Sequence, residues 1–272
     1  PRVNDLVLES RHLGLVMPSE IDELRDKLNR LAEVLEGTLD IDLLLKLAGE
    51  APELEYHAPD VDHIDGKVRI GFADDDVFCF TYEDNIELLE RCGAEIVRFS
   101  PLNDEHLPDV DGIVLSGGYP ELHADRLESN RSMLDDIRRK VSEGMPCIAE
   151  CGGFMYLHET MEDSEGKPHR MCGIINGNVA NTGKLTRFGY ATFTPSEKGM
   201  MSDIGKVKGH EFHYWDSTDC GEDWLATKTN GREYRCMHDT GTLLAGFPHL
   251  YYYSNPDAVT SFLRKCAEYS KR

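Results

Sequence analysis

Pro146-Cys147-Ile148-Ala149-Glu150-Cys151-Gly152-Gly153-Phe154-Met155 is the stretch on which the reading of this chain turns. Its first five residues form a short, mostly apolar run bounded by a proline, as in a strand buried inside a sheet. The run ends at Cys151, and two glycines lead into a helix. This is the layout of a nucleophile elbow, in the same sense as the G-x-S-x-G turn of hydrolases. A tight turn holds the nucleophile in a strained conformation above the sheet, and Gly152 and Gly153 let substrate and helix approach. The sulfur is expected to sit at a helix N-terminus, whose dipole favours a thiolate. A cysteine beside a turn is more often a buried structural residue. The strand, the double glycine and the helix together point instead to a nucleophile.

Outward from this turn, strands alternate with helices. Val68–Ala73 reads as a strand, about Asn85–Cys92 as a helix ending at Gly93, and Glu95–Phe99 as the next strand. Gly112–Leu115 is a third strand, running into Ser116-Gly117-Gly118-Tyr119-Pro120, and a helix over about Asn130–Glu143 ends at Gly144. The alternation predicts an α/β fold of parallel βαβ units in a doubly wound sheet. Beyond about residue 170 the pattern becomes strand-rich, with Gly189–Thr194, Val207–Tyr214 and Leu243–Phe247, before a last helix over about Pro256–Tyr269.

Ahead of Lys67 the texture differs. Residues 18–48 read as helical: Ser19 can cap, with Asp22 three residues on, and Ile21, Leu24, Leu28, Leu31 and Leu35 make one apolar face. Gly37 breaks that pattern, Asp40 starts a shorter helix over Ile41–Leu47, and residues 49–66 read as a polar linker with Pro52 and Pro59. Two parts are expected: a helical segment and linker over 1–66, and a main domain over 67–272. The apolar face needs a cover, from the main domain or a missing neighbour, and a homodimer is compatible with it.

A cysteine nucleophile needs a base, most often histidine. His249 follows a late strand in Gly246-Phe247-Pro248-His249-Leu250-Tyr251, and the carboxyl ends of such strands are where catalytic groups gather. His210 and His213, in Gly209-His210-Glu211-Phe212-His213-Tyr214, compete with it. Three apart on a strand, those two face opposite sides and cannot share a metal. Acyl transfer also needs an oxyanion hole. Gly117 and Gly118 offer unhindered backbone N–H groups after a neighbouring strand, and the Gly152 N–H lies next to the nucleophile. Together these pieces describe hydrolysis of an amide or ester through a thioester.

The composition excludes several classes. Among 272 residues, 29 Lys and Arg face 50 Asp and Glu, a net charge of −21. Such a field repels phosphate backbones, so general nucleic-acid binding is not expected. Residues 1–66 carry 16 acidic against 6 basic side chains, about half of that net charge. No apolar run is long enough to span a membrane, and no signal peptide is evident. The first residue is not Met, as in a processed chain or one cut from a longer protein. The eight cysteines show no C-x-x-C and no zinc spacing, and reduced thiols in the cytoplasm are the expectation. No resident metal is expected. No nucleotide-binding loop is recognised: Gly177 to Gly183-Lys184-Leu185 has five residues between its glycines and Leu where a magnesium-binding hydroxyl belongs.

Glu150-Cys151-Gly152-Gly153, Gly117-Gly118-Tyr119-Pro120-Glu121, Gly209-His210-Glu211-Phe212-His213-Tyr214 and the late His249 resemble the glutamine amidotransferase domain of the cobyrinic acid a,c-diamide synthase family. The similar Ni-sirohydrochlorin a,c-diamide synthases of methanogens share these features. Phe78-Cys79-Phe80, Asn85 and Phe99-Ser100-Pro101-Leu102 also match, and Arg11-His12-Leu13-Gly14-Leu15 with the helices after it looks like the end of that family's synthetase domain.

The resemblance implies a flavodoxin-like class I glutamine amidotransferase fold behind an N-terminal helical segment. It implies hydrolysis of glutamine, with the nucleophile on Cys151, the activating histidine on His249, and Gly118 and Gly152 in the oxyanion hole. The ammonia would amidate acetate side chains of a corrin-type or nickel tetrapyrrole, activated by ATP and magnesium on a synthetase domain that this chain lacks. The family usually reads His-x-His after the late strand. Here the sequence is His249-Leu250-Tyr251, so no third triad member is assigned. Two other readings stay open: another cysteine hydrolase of the same fold, and an inactive docking or regulatory module.

Overall fold

The structure, a computed structural model, describes residues 3–8, 16, 18 and 21–272, in two compact units, Pro1–Ala58 and Pro59–Arg272. In the first unit, α1 (Leu24–Glu36) and α2 (Ile41–Gly49) are separated at Gly37, where the apolar pattern breaks. Asp40 caps α2, its carboxylate accepting the Leu43 N–H at 2.9 Å. Neither helix buries a residue, and Leu28, Leu31 and Leu35 stay exposed. Ser19 and the Arg11–Leu15 motif lie outside the described residues.

The second unit starts ahead of Lys67. Ile64 donates its N–H to Cys92 O at 2.8 Å, and Asp62 pairs with Arg264 at 3.0 Å. The change of texture at Lys67 therefore marks the first strand, β1 (Val68–Ala73), and residues 59–66 belong with it. There follow α3 (Glu83–Arg91), β2 (Ala94–Phe99), β3 (Gly112–Leu115), α4 (Ala124–Ser129), α5 (Arg131–Ser142), β4 (Cys147–Glu150) and α6 (Gly152–Tyr156). Next come β5 (His158–Glu162), β6 (Pro168–Arg170), β7 (Ile175–Asn181), β8 (Arg187–Thr194), β9 (Val207–His213), β10 (Trp215–Ser217), β11 (Trp224–Lys228), β12 (Glu233–Cys236) and β13 (His238–Asp239). The chain ends with β14 (Leu243–Gly246), β15 (His249–Tyr251) and α7 (Asp257–Tyr269).

The central sheet runs β2-β1-β3-β4-β14-β13, parallel throughout except for the β13–β14 pair. Its first five strands have the flavodoxin-like order, with helices on both faces. Side chains alternate between two cores. Ile113, Leu115, Cys147 and Ala149 pack with α4, α5 and α6, whereas Val114 and Ile148 pack with α3, α7 and part of the five-stranded sheet. Between β4 and β14 the chain leaves this sheet and builds two more, β10-β7-β5-β6 and β12-β11-β8-β9-β15. The Gly177–Leu185 stretch lies on β7 and the turn after it, with no helix at its end to receive a phosphate.

The loops after β1, β3, β4 and β14 meet at one sheet edge. Asp75 organises the first of them. Its carboxylate accepts Val77 N–H at 2.8 Å, Phe78 N–H at 3.0 Å, Leu102 N–H at 3.0 Å and the Ser100 hydroxyl at 2.7 Å. The loop is pinned against Gly117 and Tyr119 by Phe80 N–H to Gly117 O (3.0 Å) and Tyr119 N–H to Val77 O (2.9 Å). Asp75→Ala strands those four donors. It is expected to lower stability by about 2–4 kcal/mol, read as a shift of the urea midpoint; an unchanged midpoint would contradict this account of the loop.

Candidate active site

Cys151 occupies the turn between β4 and α6 with φ 48° and ψ −102°, a region that a non-glycine residue enters only when its surroundings impose it. The turn is held from three sides. Cys151 N–H donates to Gly246 O at 2.8 Å, Gly153 N–H to Ser116 O at 3.0 Å, and Met155 N–H to Cys151 O at 2.9 Å. A Cβ on Gly153 would lie 2.2 Å from Leu115 O, so only glycine fits at this second position of α6. His158 anchors the end of the short helix: Nδ1 donates to Phe154 O at 2.8 Å, which leaves Nε2 to accept the Ser217 hydroxyl at 2.7 Å.

The residues singled out in the sequence form a connected chain of contacts. A Cβ on Gly152 would meet Gly118 N at 3.0 Å, so the peptide groups of Gly118 and Gly152 converge beside Cys151. At Gly118 a Cβ would sit 1.8 Å from Val77 O, and at Gly117 a Cβ would sit 2.4 Å from His249 Cε1. Gly117 thus lies flat against the imidazole of His249, where any side chain would displace the ring. On its other sides His249 stacks on His210, with ring centroids 4.8 Å apart and planes 14° from parallel, and meets Phe80 edge-on at 4.7 Å. His210 and His249 face each other in the β9–β15 register, and Tyr82 Oη lies 2.9 Å from His210 Nδ1. His213 is on the opposite face of β9. It is stacked 3.8 Å from Phe247, with its Nδ1 donating to Trp215 O at 2.6 Å.

Electrostatics at the turn differ from the expectation of a helix-stabilised thiolate. Burial pushes the Cys151 thiol up to about 12, and the carboxylates of Glu121, Glu150 and Glu211 push the same way, against one N–H from Gly152. With only five residues, α6 has too little dipole to offset that environment. Burial also pushes His249 down to about 3, helped by His210 and His213. Both shifts favour a neutral thiol and a neutral imidazole at rest.

Sequence reasoning missed the clamp that sets β15. Asn85, half of whose signal was its match to a motif, donates from Nδ2 to Leu250 O (2.8 Å) and accepts Tyr252 N–H on Oδ1 (2.9 Å). Glu150 Oε1 accepts Leu250 N–H at 3.2 Å and the Tyr252 hydroxyl at 3.5 Å. Burial pushes the Glu150 carboxyl up to about 8, against those two donors. Tyr251, at the position where the sequence departs from its family pattern, donates its hydroxyl to Asp84 at 3.0 Å and faces α3.

Burial lowers the His158 pKa to about 4. A base depressed in this way contributes stability above its ordinary pKa near 6.5, and the contribution is lost as pH falls through about 4. Relative to His158→Gln, the native protein should lose about 1.4 kcal/mol per pH unit across that window. Parallel urea-midpoint profiles for the two proteins between neutral and acidic pH would contradict this.

Comparison with known proteins fits the site. Residues 69–256 match the CobB/CobQ-like glutamine amidotransferase domain. The chain is 35% identical to the cobyrinate a,c-diamide synthase of Caldanaerobacter subterraneus subsp. tengcongensis, over all of this chain and 61% of that protein. It is 38% identical to the hydrogenobyrinate a,c-diamide synthase of Pseudomonas aeruginosa, over 97% of this chain and 58% of that protein. The chain thus spans about three fifths of the length of these relatives. A crystal structure of a glutamine amidotransferase superposes with a TM-score of 0.53 at 17% identity, covering 73% of this chain and 98% of the other, a likeness of fold. With an elbow, a histidine and paired glycines at the sheet edge, and a match running from β1 to the residue before α7, the chain belongs to the CobB/CobQ-like glutamine amidotransferase domains.

Proposed function

We propose that this domain hydrolyses glutamine at Cys151 and delivers the ammonia to the amidation of acetate side chains on a cobyrinate-type macrocycle. The observation that carries the first half is the run of contacts from Cys151 through Gly152, Gly118 and Gly117 to His249. His249 takes the thiol proton as the sulfur attacks the side-chain carbonyl carbon of glutamine. The oxyanion forms beside the converging Gly118 and Gly152 N–H groups. The tetrahedral intermediate collapses to a thioester, and His249 returns the proton to the departing ammonia. The same imidazole then takes a proton from water, whose oxygen attacks the thioester, and glutamate leaves as Cys151 recovers its hydrogen.

The second half rests on the names of the relatives, cobyrinate and hydrogenobyrinate a,c-diamide synthases. A Ni-sirohydrochlorin substrate is chemically compatible with the same ammonia supply. Carboxylate activation by ATP and magnesium is assigned to the part of those relatives outside the matched region; the Gly177–Leu185 stretch of this chain is followed by a strand and not by a helix that could receive a nucleotide phosphate.

Cys151→Ala and His249→Ala should each lower glutamine hydrolysis by about a thousandfold or more while leaving the melting temperature near that of the native chain. Turnover in Cys151→Ala within tenfold of wild type, at an order-of-magnitude level, would refute the nucleophile. For the macrocycle, glutamine labelled on its amide nitrogen should yield labelled macrocycle amides when the domain is combined with a relative's synthetase part, cobyrinate, ATP and magnesium. Label remaining wholly in free ammonia would reject that delivery.

A further inference from the structure

We propose that Glu150 is the positioning carboxylate of this site. Across a water-sized cavity it holds the His249 imidazole in the orientation and tautomer that accept the Cys151 proton. The inference rests on the glutaminase reading and deepens it.

The strand carrying the base supplies no carboxylate of its own. Tyr251 and its hydroxyl are committed to Asp84. Glu150 reaches the base from the other side of the nucleophile. Alternation along β4 sends Cys147 and Ala149 into one core and Ile148 into the other, so Glu150 falls on the Ile148 side, where Leu250 and Tyr252 pack. The carboxyl is buried. A buried carboxyl on an apolar face costs stability unless it is well paired, which makes its presence there informative. Both donors from the β15 segment, Leu250 N–H and Tyr252 Oη–H, converge on Oε1. Oε2 is the oxygen assigned to His249. Glu150 and His249 line one cavity of about 20 Å³, with Ser116, Tyr82, Asn85 and Tyr252 among its other walls. That volume admits one water molecule. Glu150 is thus bonded covalently to the proposed nucleophile and by a hydrogen bond to the residue after the proposed base, a side chain that joins β4 to β15.

In the proton step, the Sγ–H bond of Cys151 breaks as one ring nitrogen of His249 gains that hydrogen. The other ring nitrogen keeps the N–H it already has, directed at Glu150; burial pushes that carboxyl up to about 8, so the step runs with the carboxyl ionised above that pH. No proton enters or leaves, and the new imidazolium charge is offset by the carboxylate. The other titratable groups around the pair are His210 and His213 near His249, Glu121 and Glu211 near Cys151, and Tyr82 and Tyr252 on the cavity wall.

The test follows the rate at which iodoacetamide alkylates Cys151, read on its peptide by mass spectrometry across pH, in the whole chain. This readout needs no glutamine. Glu150→Gln keeps the shape and an acceptor for Leu250 N–H. It should slow alkylation above about pH 8, where Glu150 is ionised, by about tenfold or more and move the pH profile toward that of His249→Ala. Glu150→Asp should recover part of the rate. In glutamine hydrolysis the same variant should lower kcat and leave KM within about twofold, an interaction lost from the transition state and not from binding. A Glu150→Gln profile that superposes on wild type, with or without a lower melting temperature, would overturn the proposal by reducing Glu150 to a structural clamp. A His249→Ala profile that superposes on wild type would overturn it too, since Glu150 would have no base to act through. A wild-type chain that releases no ammonia would defeat the glutaminase reading, while the alkylation profiles still decide the role of Glu150.

Discussion

The backbone turn at Cys151 is the constraint on which the rest of the molecule depends. Holding a non-glycine residue at φ 48° costs about 1–3 kcal/mol, and the cost is met only because the two strands flanking β4 fix the peptide groups around it. β14 supplies the Gly246 carbonyl, β3 runs into the Ser116 carbonyl, and the second residue of α6, Gly153, is a glycine because Leu115 O leaves no room for a side chain. The turn therefore requires β3, β4 and β14 to lie side by side, which is the order that the central sheet adopts. The long excursion between β4 and β14 is permitted because the strand that returns has a defined place to dock.

Burial then sets the chemistry. Cys151 lies among Glu121, Glu150 and Glu211 in a chain of net charge −21, an environment that opposes a resting thiolate. The same burial opposes a charged His249. Separating charge between two such groups is unfavourable until something stabilises both ends, and each end has a local source. In the proposed reaction the oxyanion develops beside the converging peptide groups of Gly118 and Gly152, and the stacked imidazole of His210 and the edge of Phe80 fix the His249 ring. A site that is neutral at rest and charged only along the reaction spares its thiol from reacting with arbitrary electrophiles.

The central sheet was legible because its strands are short, mostly apolar runs that alternate with helices ending at glycines. Gly112–Leu115 and the run ending at Glu150 were placed within a residue, and α5 and α7 within one residue at each end. The elbow, the paired glycines and His249 were legible for a related reason, since each sits where a strand stops. The short strands β5, β6, β10, β12 and β13 were not, because two to five residues carry too little periodicity and their register is decided by partners distant in sequence. The thiol's electrostatics were misjudged because a helix N-terminus is visible in sequence, whereas the carboxylates that fold in around it are not. Glu150 escaped notice because the end of a strand gives no sign of which core it faces.

The five-stranded sheet does more than enlarge the fold. Strand β15 leaves the central sheet just after β14 and pairs with β9, so that His249 lies opposite His210, and His210 lies opposite Tyr190 on β8. His249, the proposed base, is thus the innermost member of a row that crosses three strands of a second sheet, while Cys151, the proposed nucleophile, follows a strand of the first. A substitution at Tyr190 or Tyr82 reaches His249 through ring contacts with His210, whereas one on β4 reaches Cys151 through the backbone. Residues far apart in sequence therefore act on the two halves of the pair by independent routes. The groups that span both sheets are Glu150, which joins β4 to the β15 segment, and Gly117, which lies flat on the His249 ring. Registration between the sheets is accordingly strictest at these contacts.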